Sequence, residues 1–182
     1  MIEISYGQMV LVVSVLWLVV RVLCWWRSKH CSWKRELQLI LVYICIVVVV
    51  RFTFCPFGKV DGKIQPLLFD PERIYPFWLN LKPFVYLFDY PSMKDALLNL
   101  IGNTAMFIPL GIVWPCVFSR LNSHWKVIIA GFGVSLTIEI LQLPFFDRAT
   151  DIDDLILNTL GFLTGYGIYL LTKMVRKRRK VC

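Results

Sequence analysis

Five long apolar segments limit what this chain can fold into. They occupy residues 6–26, 35–55, 97–119, 125–145 and 154–174. A helix needs roughly 20 residues to cross the hydrocarbon core of a bilayer, and each segment is long enough. With 58% of its residues hydrophobic, the chain is also more apolar than soluble domains usually are. The sequence therefore predicts an all-α fold, a polytopic membrane bundle of five transmembrane helices.

Basic residues in the short loops predict the orientation of this bundle. Lys and Arg favour the cytoplasmic side of membrane proteins. They occur between the first two segments, between the third and fourth, and after the fifth, where RKRRK spans 176–180. The N-terminus carries Glu3, and the loop between the fourth and fifth segments carries mainly aspartates. We expect the N-terminus outside, the C-terminus inside, and residues 175–182 to form a basic cytoplasmic tail.

The net charge and the cysteines exclude two other classes of protein. The net charge is +8, but the basic residues cluster where anionic lipid headgroups would meet them. Membrane lipids are therefore the expected partners, and nucleic acid is not. Six cysteines occur without a CxxC spacing, which supports neither a disulfide framework nor a zinc site. We interpret residues 1–182 as a single membrane domain.

A long loop, residues 56–94, is expected on the outer side between the second and third helices. Its aromatic residues are Phe57, Phe69, Tyr75, Phe77, Trp78, Phe84, Tyr86, Phe88 and Tyr90. Aromatic rings favour the membrane interface, and such long loops within compact domains are often functional. Two interpretations stay open: a functional segment that covers the helix ends, or an ordinary aromatic belt.

Polar residues on three of the apolar segments fall at one depth. A rise of about 1.5 Å per residue puts Glu139 and Asn103 about 9 Å, and Asn158 about 6 Å, below the outer face of a core about 30 Å thick. An acid within the core costs on the order of 2.5 to 3.5 kcal/mol. It should therefore face a partner or a polar cavity. The shared depth predicts a polar pocket open to the outside.

Helical spacing places these polar residues on common faces. The sets are Asn99 with Asn103, Glu139 with Gln142, and Asp151 with Asp154 and Asn158. Residues three, four or seven apart share a helix face. Further along the fifth helix, Gly161 and Gly165 form a GxxxG motif that allows two backbones to approach closely. We expect the outer half of the bundle to be polar and the inner half tightly packed.

Four motifs in order resemble the VanZ-like family, which is named for a protein associated with low-level teicoplanin resistance. They are NLKPF at 80–84, LLNLIGNTAMFIPLG at 97–111, IEILQ at 138–142 and DRATDIDDLILNTLGFLTG at 147–165. The resemblance covers a motif core of about 80–167. It implies a ligand-binding site composed of Asn99, Asn103, Glu139, Gln142, Arg148, Asp151, Asp154 and Asn158. Asn80, Pro83 and Gly161 are further matching positions.

Most of these residues also have a purely structural interpretation. Asp151, Asp153 and Asp154 follow Thr150, where acidic side chains cap a helix and favour the positive end of its dipole. The asparagines are equally compatible with hydrogen bonds between helices. Asp153 faces away from the polar stripe. Glu139 differs from the others, because no capping role exists in the middle of an apolar run.

Two functions are compatible with this pattern. The first is binding, at the outer face of a bacterial cytoplasmic membrane, of a cell-wall precursor lipid or a lipoglycopeptide, which would contribute to glycopeptide resistance. The second is an intramembrane enzyme that modifies an envelope lipid or glycan. Glu139 would then be the catalytic acid or base, or would hold Mg²⁺ or Ca²⁺ together with Asp151 and Asp154. A third function, lipid movement between leaflets, requires a homo-oligomer.

Overall fold

The computed structural model describes residues 1–28, 32–54, 59–60, 63–74, 79–84, 92–121, 123–146, 148 and 150–179. Its α-helices are α1 (Tyr6–Ser28), α2 (Trp33–Phe54), α3 (Met93–Val117), α4 (His124–Gln142) and α5 (Ile152–Arg178). All five are long and apolar enough to cross a membrane. The prediction of five helices that are long and apolar enough to span a membrane is confirmed, as expected of a multi-pass membrane protein. The orientation stays a prediction.

The helix bounds differ most from the sequence prediction at the start of α3, which begins at Met93 instead of residue 97, and at the end of α5. This helix continues to Arg178, beyond the apolar segment that ends at residue 174. Lys and Arg are good helix formers, and at a helix C-terminus their charge interacts favourably with the helix dipole. The basic residues therefore extend the helix past its apolar part.

The segments outside the helices contain short strands, which the sequence did not predict. They are β1 (Ile2–Ile4), β2 (Lys59–Val60), β3 (Lys63–Ile64), β4 (Leu67–Phe69), β5 (Leu79–Asn80) and β6 (Thr150–Asp151). Strand β1 pairs antiparallel with β4, β2 pairs antiparallel with β3, and β5 pairs parallel with β6. Two or three residues are too few to show the alternating pattern that identifies a strand in a sequence.

Contacts divide the chain into two compact units. The first unit comprises Met1–Trp78 and Leu141–Ala149, and the second comprises Leu79–Ile140 and Thr150–Cys182. Several aromatic residues of the long loop at 56–94 lie outside the described residues, namely Phe57, Tyr75, Phe77, Trp78, Tyr86, Phe88 and Tyr90. The functional interpretation of that loop therefore stays a prediction.

Polar contacts join α1 and α2 within the first unit. Arg21 forms an ion pair with Glu36, with its Nε donating to Glu36 Oε2 over 3.1 Å. The indole Nε1 of Trp25 donates to the same carboxyl over 3.2 Å. None of the residues in the most apolar stretch of α1 is buried. This is the composition expected of a helix whose sides face lipid.

Glycines allow α3 and α5 to touch through their backbones in the second unit. A methyl group on Gly161 would lie 2.0 Å from the carbonyl oxygen of Thr104, and one on Gly165 would lie 2.1 Å from that of Ile108. A methyl group on Gly111 of α3 would lie 2.0 Å from the carbonyl oxygen of Phe162. The close approach predicted from the GxxxG motif is confirmed, with Gly111 as its counterpart on the facing helix.

Candidate functional site

Glu139 connects the end of α4 to the start of α5. Its side chain is buried, at 2% exposure. Its Oε2 accepts a hydrogen bond from the Asp151 backbone N–H over 3.1 Å, and the Thr150 hydroxyl donates to its backbone oxygen over 2.9 Å. The first N–H groups of a helix have no partner within the helix. The carboxyl of Glu139 thus lies beside the N-terminus of α5, which attracts negative charge.

Asp151 is the N-cap residue of α5. Its backbone is extended, with φ −120° and ψ 130°, and its Oδ1 accepts from the Asp153 N–H over 2.9 Å. Its Oδ2 accepts from Asn80 Nδ2 over 3.1 Å, next to the β5–β6 pairing. The capping interpretation is confirmed for this residue. The same carboxyl also anchors the segment that contains Asn80, which the sequence analysis did not predict.

Asp153 anchors the same segment at a second point. Its side chain is 5% exposed, and its Oδ1 accepts from the Phe84 N–H over 2.9 Å. Phe84 has a φ of 64°, in the left-handed region that side-chain-bearing residues seldom adopt. Sequence reasoning placed Asp153 off the polar stripe and gave it no further role. Its role in anchoring the NLKPF motif follows from the proximity of the two in the structure. A sequence alone does not reveal that proximity.

Asn103 links α3 to α5. Its Nδ2 donates to Asn99 Oδ1 over 3.0 Å and to Asp154 Oδ1. The shared face predicted for the two asparagines is therefore confirmed. Hydrogen bonds between transmembrane helices contribute about 0.6 kcal/mol each on average. The contact is compatible with the structural interpretation, and the ligand-binding role stays a prediction.

Asn158 lies one turn further along α5 and is almost fully buried. Its exposure is 1%, and its Oδ1 has no hydrogen-bond partner among the described residues. Ser135, on α4, is also fully buried, and its hydroxyl donates to the Leu155 carbonyl over 3.4 Å. An unsatisfied buried acceptor costs about 1–3 kcal/mol. A donor from outside the protein would remove this cost.

Gln142 and Arg148 make their contacts within the first unit. Gln142 Nε2 donates to the Thr53 carbonyl over 2.7 Å, and Arg148 Nη2 donates to the Phe54 carbonyl over 3.1 Å. Both carbonyls belong to the last turn of α2, where helix carbonyls lack partners within the helix. The two side chains therefore cap α2. Their predicted ligand-binding role stays a prediction.

Replacing Gln142 by leucine is expected to lower the free energy of unfolding by about 1–2 kcal/mol, because the buried Thr53 carbonyl would lose its donor. Thermal unfolding of the purified protein in detergent would measure this. Gln38→Leu is the matched control, since Gln38 lies on α2 and is only partly buried. An unfolding midpoint of Gln142→Leu equal to that of the control would show that the hydrogen bond does not stabilise α2.

The carboxyls of Glu139, Asp151 and Asp154 lie close together. The carboxyls of Asp154 and Asp151 act on Glu139 electrostatically. Across the described ranges, no group of three or more His, Cys, Asp or Glu side chains is placed so that it could hold a metal ion. The Mg²⁺ or Ca²⁺ site at Glu139, Asp151 and Asp154 gains no support and stays a prediction.

Comparisons with known proteins agree with the motifs. The sequence model of the VanZ/LLP1 family matches residues 40–173. Protein VanZ from Enterococcus faecium is 33% identical over 103 residues, which are 57% of this chain and 59% of that protein. The chain thus spans about three fifths of the length of this relative. No solved structure matches it.

Proposed function

Because the chain belongs to the VanZ/LLP1 family, we propose that it binds a lipid-linked or glycopeptide-type ligand at the outer face of a bacterial cytoplasmic membrane. Binding would contribute to resistance against glycopeptides of the teicoplanin type. The observation that carries this proposal is Glu139, a carboxyl at 2% exposure in an apolar helix. Its Oε1 makes no hydrogen bond to the described residues.

Glu139 is costly to the fold and is therefore a functional candidate. Ionisable residues within transmembrane segments are rare and mostly mark ligand or ion pathways. Asp151 and Asp153 have structural tasks at the start of α5, which explain their presence. The Glu139 side-chain carboxyl receives a single hydrogen bond, from the Asp151 N–H, although a carboxylate can accept about four. The unused acceptors are available to a ligand.

The surroundings of Glu139 suit a ligand with one polar and one apolar end. Asn103, Asp154 and Asn158 would contact the polar end together with Glu139. Leu98 and Ile101 of α3 are exposed, at 61% and 60%, on a helix that also carries Asn99 and Asn103. An acyl chain attached to the ligand would lie along such apolar side chains, as lipid tails do.

Teicoplanin susceptibility of Gram-positive cells tests the proposal. Cells that express the wild-type chain should be less susceptible than cells with an empty vector, and Glu139→Gln should abolish this protection. Loss of a charged hydrogen bond costs about 1.5–3 kcal/mol, which corresponds to roughly tenfold or more in affinity. Membrane levels of the variants are matched by immunoblot.

Glu3→Gln is the control, because it makes the same chemical change at the exposed strand β1. It should protect as well as the wild type. Equal protection by Glu139→Gln would make Glu139 structural. If the wild-type chain neither protected cells nor bound teicoplanin or a lipid-linked wall precursor after purification, the proposed function would be wrong.

A further inference from the structure

Phe84 combines a rare backbone conformation with an exposed aromatic ring. Its φ of 64° lies in the left-handed region, which bulky residues adopt only where the surrounding structure imposes it. The side chain is 59% exposed, so most of the ring lies outside the protein. Strained residues of this kind cluster where proteins contact ligands or partners. The conformation of Phe84 therefore points to a contact made by its ring.

Hydrogen bonds to the start of α5 impose this conformation. The Phe84 N–H donates to Asp153 Oδ1 over 2.9 Å, and Asp153 is buried, at 5% exposure. Asn80 donates through Nδ2 to Asp151 Oδ2 over 3.1 Å, and its Oδ1 accepts from the Lys82 N–H over 3.4 Å. The NLKPF segment, residues 80–84, is thus held at its first and last residues by aspartates at the start of α5.

The polar and apolar side chains of this segment are arranged in the opposite way to those of a loop in water. Asn80 is half-buried and directs its amide to Asp151. Leu79, Leu81 and Phe84 are 42%, 64% and 59% exposed. Transfer of apolar side chains from water to an apolar medium is favourable. The segment would therefore be more stable with these side chains in contact with hydrocarbon than in contact with water.

The attachment of the segment to α5 identifies the source of that hydrocarbon. Asp151 is the N-cap of α5, and Asp153 lies in its first turn. Helix α5 is long and apolar enough to cross a membrane, so its first turn lies close to the membrane boundary. Since the Phe84 N–H is 2.9 Å from a carboxyl of that turn, the segment lies at the same boundary.

Exposed apolar side chains of α3 occur at the same end of the second unit. Asn103 donates to Asp154 Oδ1, which places the first half of α3 beside the first turn of α5. Leu98 and Ile101 of α3 are 61% and 60% exposed, as expected of a helix that faces lipid. The apolar side chains of the NLKPF segment thus lie at the end of the unit where a spanning helix also exposes apolar groups.

We propose that the two aspartates hold the NLKPF segment so that Leu81 and Phe84 insert into the phospholipid bilayer, at the boundary between headgroups and acyl chains. Phe and Leu are residues with which interfacial segments enter this boundary. Lys82, between them in the sequence, is exposed, and its ammonium group suits the lipid phosphates. This surface binds the bilayer itself and goes beyond the proposed function, which concerns a ligand at Glu139.

Fluorine NMR of one labelled ring tests the insertion. A trifluoromethyl-labelled phenylalanine replaces Phe84 in the full chain, in nanodiscs of phosphatidylcholine and phosphatidylglycerol. Line broadening by a lipid with a nitroxide near the start of its acyl chain is compared with broadening by a water-soluble gadolinium chelate. The same label at Leu98 is the control for lipid, and the label at Arg178, at the exposed end of α5, is the control for water.

The ratio of lipid broadening to chelate broadening should be higher at position 84 than at position 178, by roughly fivefold or more, because a ring at the membrane interface has left bulk water. Two results would overturn the insertion. A ratio no higher than that at position 178 would place the ring in water. Absence of broadening by both agents would mean that protein covers the ring.

Asp153→Ala tests the part assigned to the aspartates. Loss of the acceptor should release Phe84, and the ratio at position 84 should fall toward that at position 178, whereas an unchanged label at Leu98 would show that the helices remain folded. Asp70→Ala is the matched control, because it removes a carboxyl that accepts from the Glu72 N–H over 3.2 Å in the first unit. It should leave the ratio unchanged.

An unchanged ratio in Asp153→Ala would show that Asp153 does not position the ring, and would overturn that part of the proposal. The labelled wild-type chain tests the insertion whether or not this variant folds. None of these outcomes bears on the proposed function, which fails only if teicoplanin protection and ligand binding are both absent.

Discussion

Replacement of Gly161 by alanine is expected to lower the free energy of unfolding of the second unit by about 3 kcal/mol. The new methyl group would lie 2.0 Å from the carbonyl oxygen of Thr104 and 2.9 Å from its carbon. Both atoms belong to the backbone of α3, so no side-chain rotation can relieve the overlap. The two helices would have to separate, and the interface around Phe107 and Phe162, both fully buried, would lose its packing.

Thermal unfolding in detergent, followed by tryptophan fluorescence, measures this effect. Gly102→Ala and Gly133→Ala are the controls, because a methyl group at either position meets no atom within 4 Å. Alanine in the interior of a helix is more favourable than glycine by about 0.5–1 kcal/mol, so these variants should unfold at a slightly higher temperature. If Gly161→Ala behaved like the controls, α3 and α5 would not touch through their backbones at this point.

Asp151→Ala is the second change with a large expected effect. Loss of an N-cap costs about 0.5–2 kcal/mol and loss of a further hydrogen bond about 1 kcal/mol. We expect the free energy of unfolding to fall by about 2 kcal/mol in total. The Asp153 N–H would lose its acceptor, and Asn80 would lose the contact that anchors β5 beside β6.

Asp151→Asn separates the capping role from the charge. Asparagine caps helices about as well as aspartate, and its single carbonyl oxygen can still accept from the Asp153 N–H. Chemical unfolding should therefore show a loss for Asn that is roughly half of the loss for Ala. Equal losses in the two variants would mean that the negative charge, rather than the cap, stabilises the start of α5.

The parts of the fold that follow from local sequence were predicted well. Apolar length identified five helices, because backbone groups in hydrocarbon must be hydrogen-bonded within their own segment. Spacing identified the contact of Asn99 with Asn103, since residues four apart are neighbours on a helix. The glycine motif likewise identified the close approach of α5 to another helix. Contacts within the bundle are the same whichever end faces the cytoplasm. The predicted orientation therefore stays a prediction.

Contacts between distant segments were not predicted. Asp153 accepts a hydrogen bond from the Phe84 N–H, which is 69 residues away in the sequence. No periodicity relates positions so far apart. Gln142 was grouped with Glu139 because the two are three residues apart. On a helix of 3.6 residues per turn, side chains three residues apart differ in direction by about 60°. Gln142 donates to the Thr53 carbonyl. Helical spacing alone cannot resolve this difference.

The anchoring of the NLKPF segment imposes an order on biosynthesis. Asn80 and Phe84 are made 71 and 69 residues before the aspartates that hold them. At roughly 5–20 residues per second, the ribosome needs on the order of 4 to 14 s for that stretch. During this interval the segment has emerged, but its acceptors do not yet exist. It can reach its final position only after the start of α5 has been synthesised, so that its docking reports that α1 to α4 have already been made.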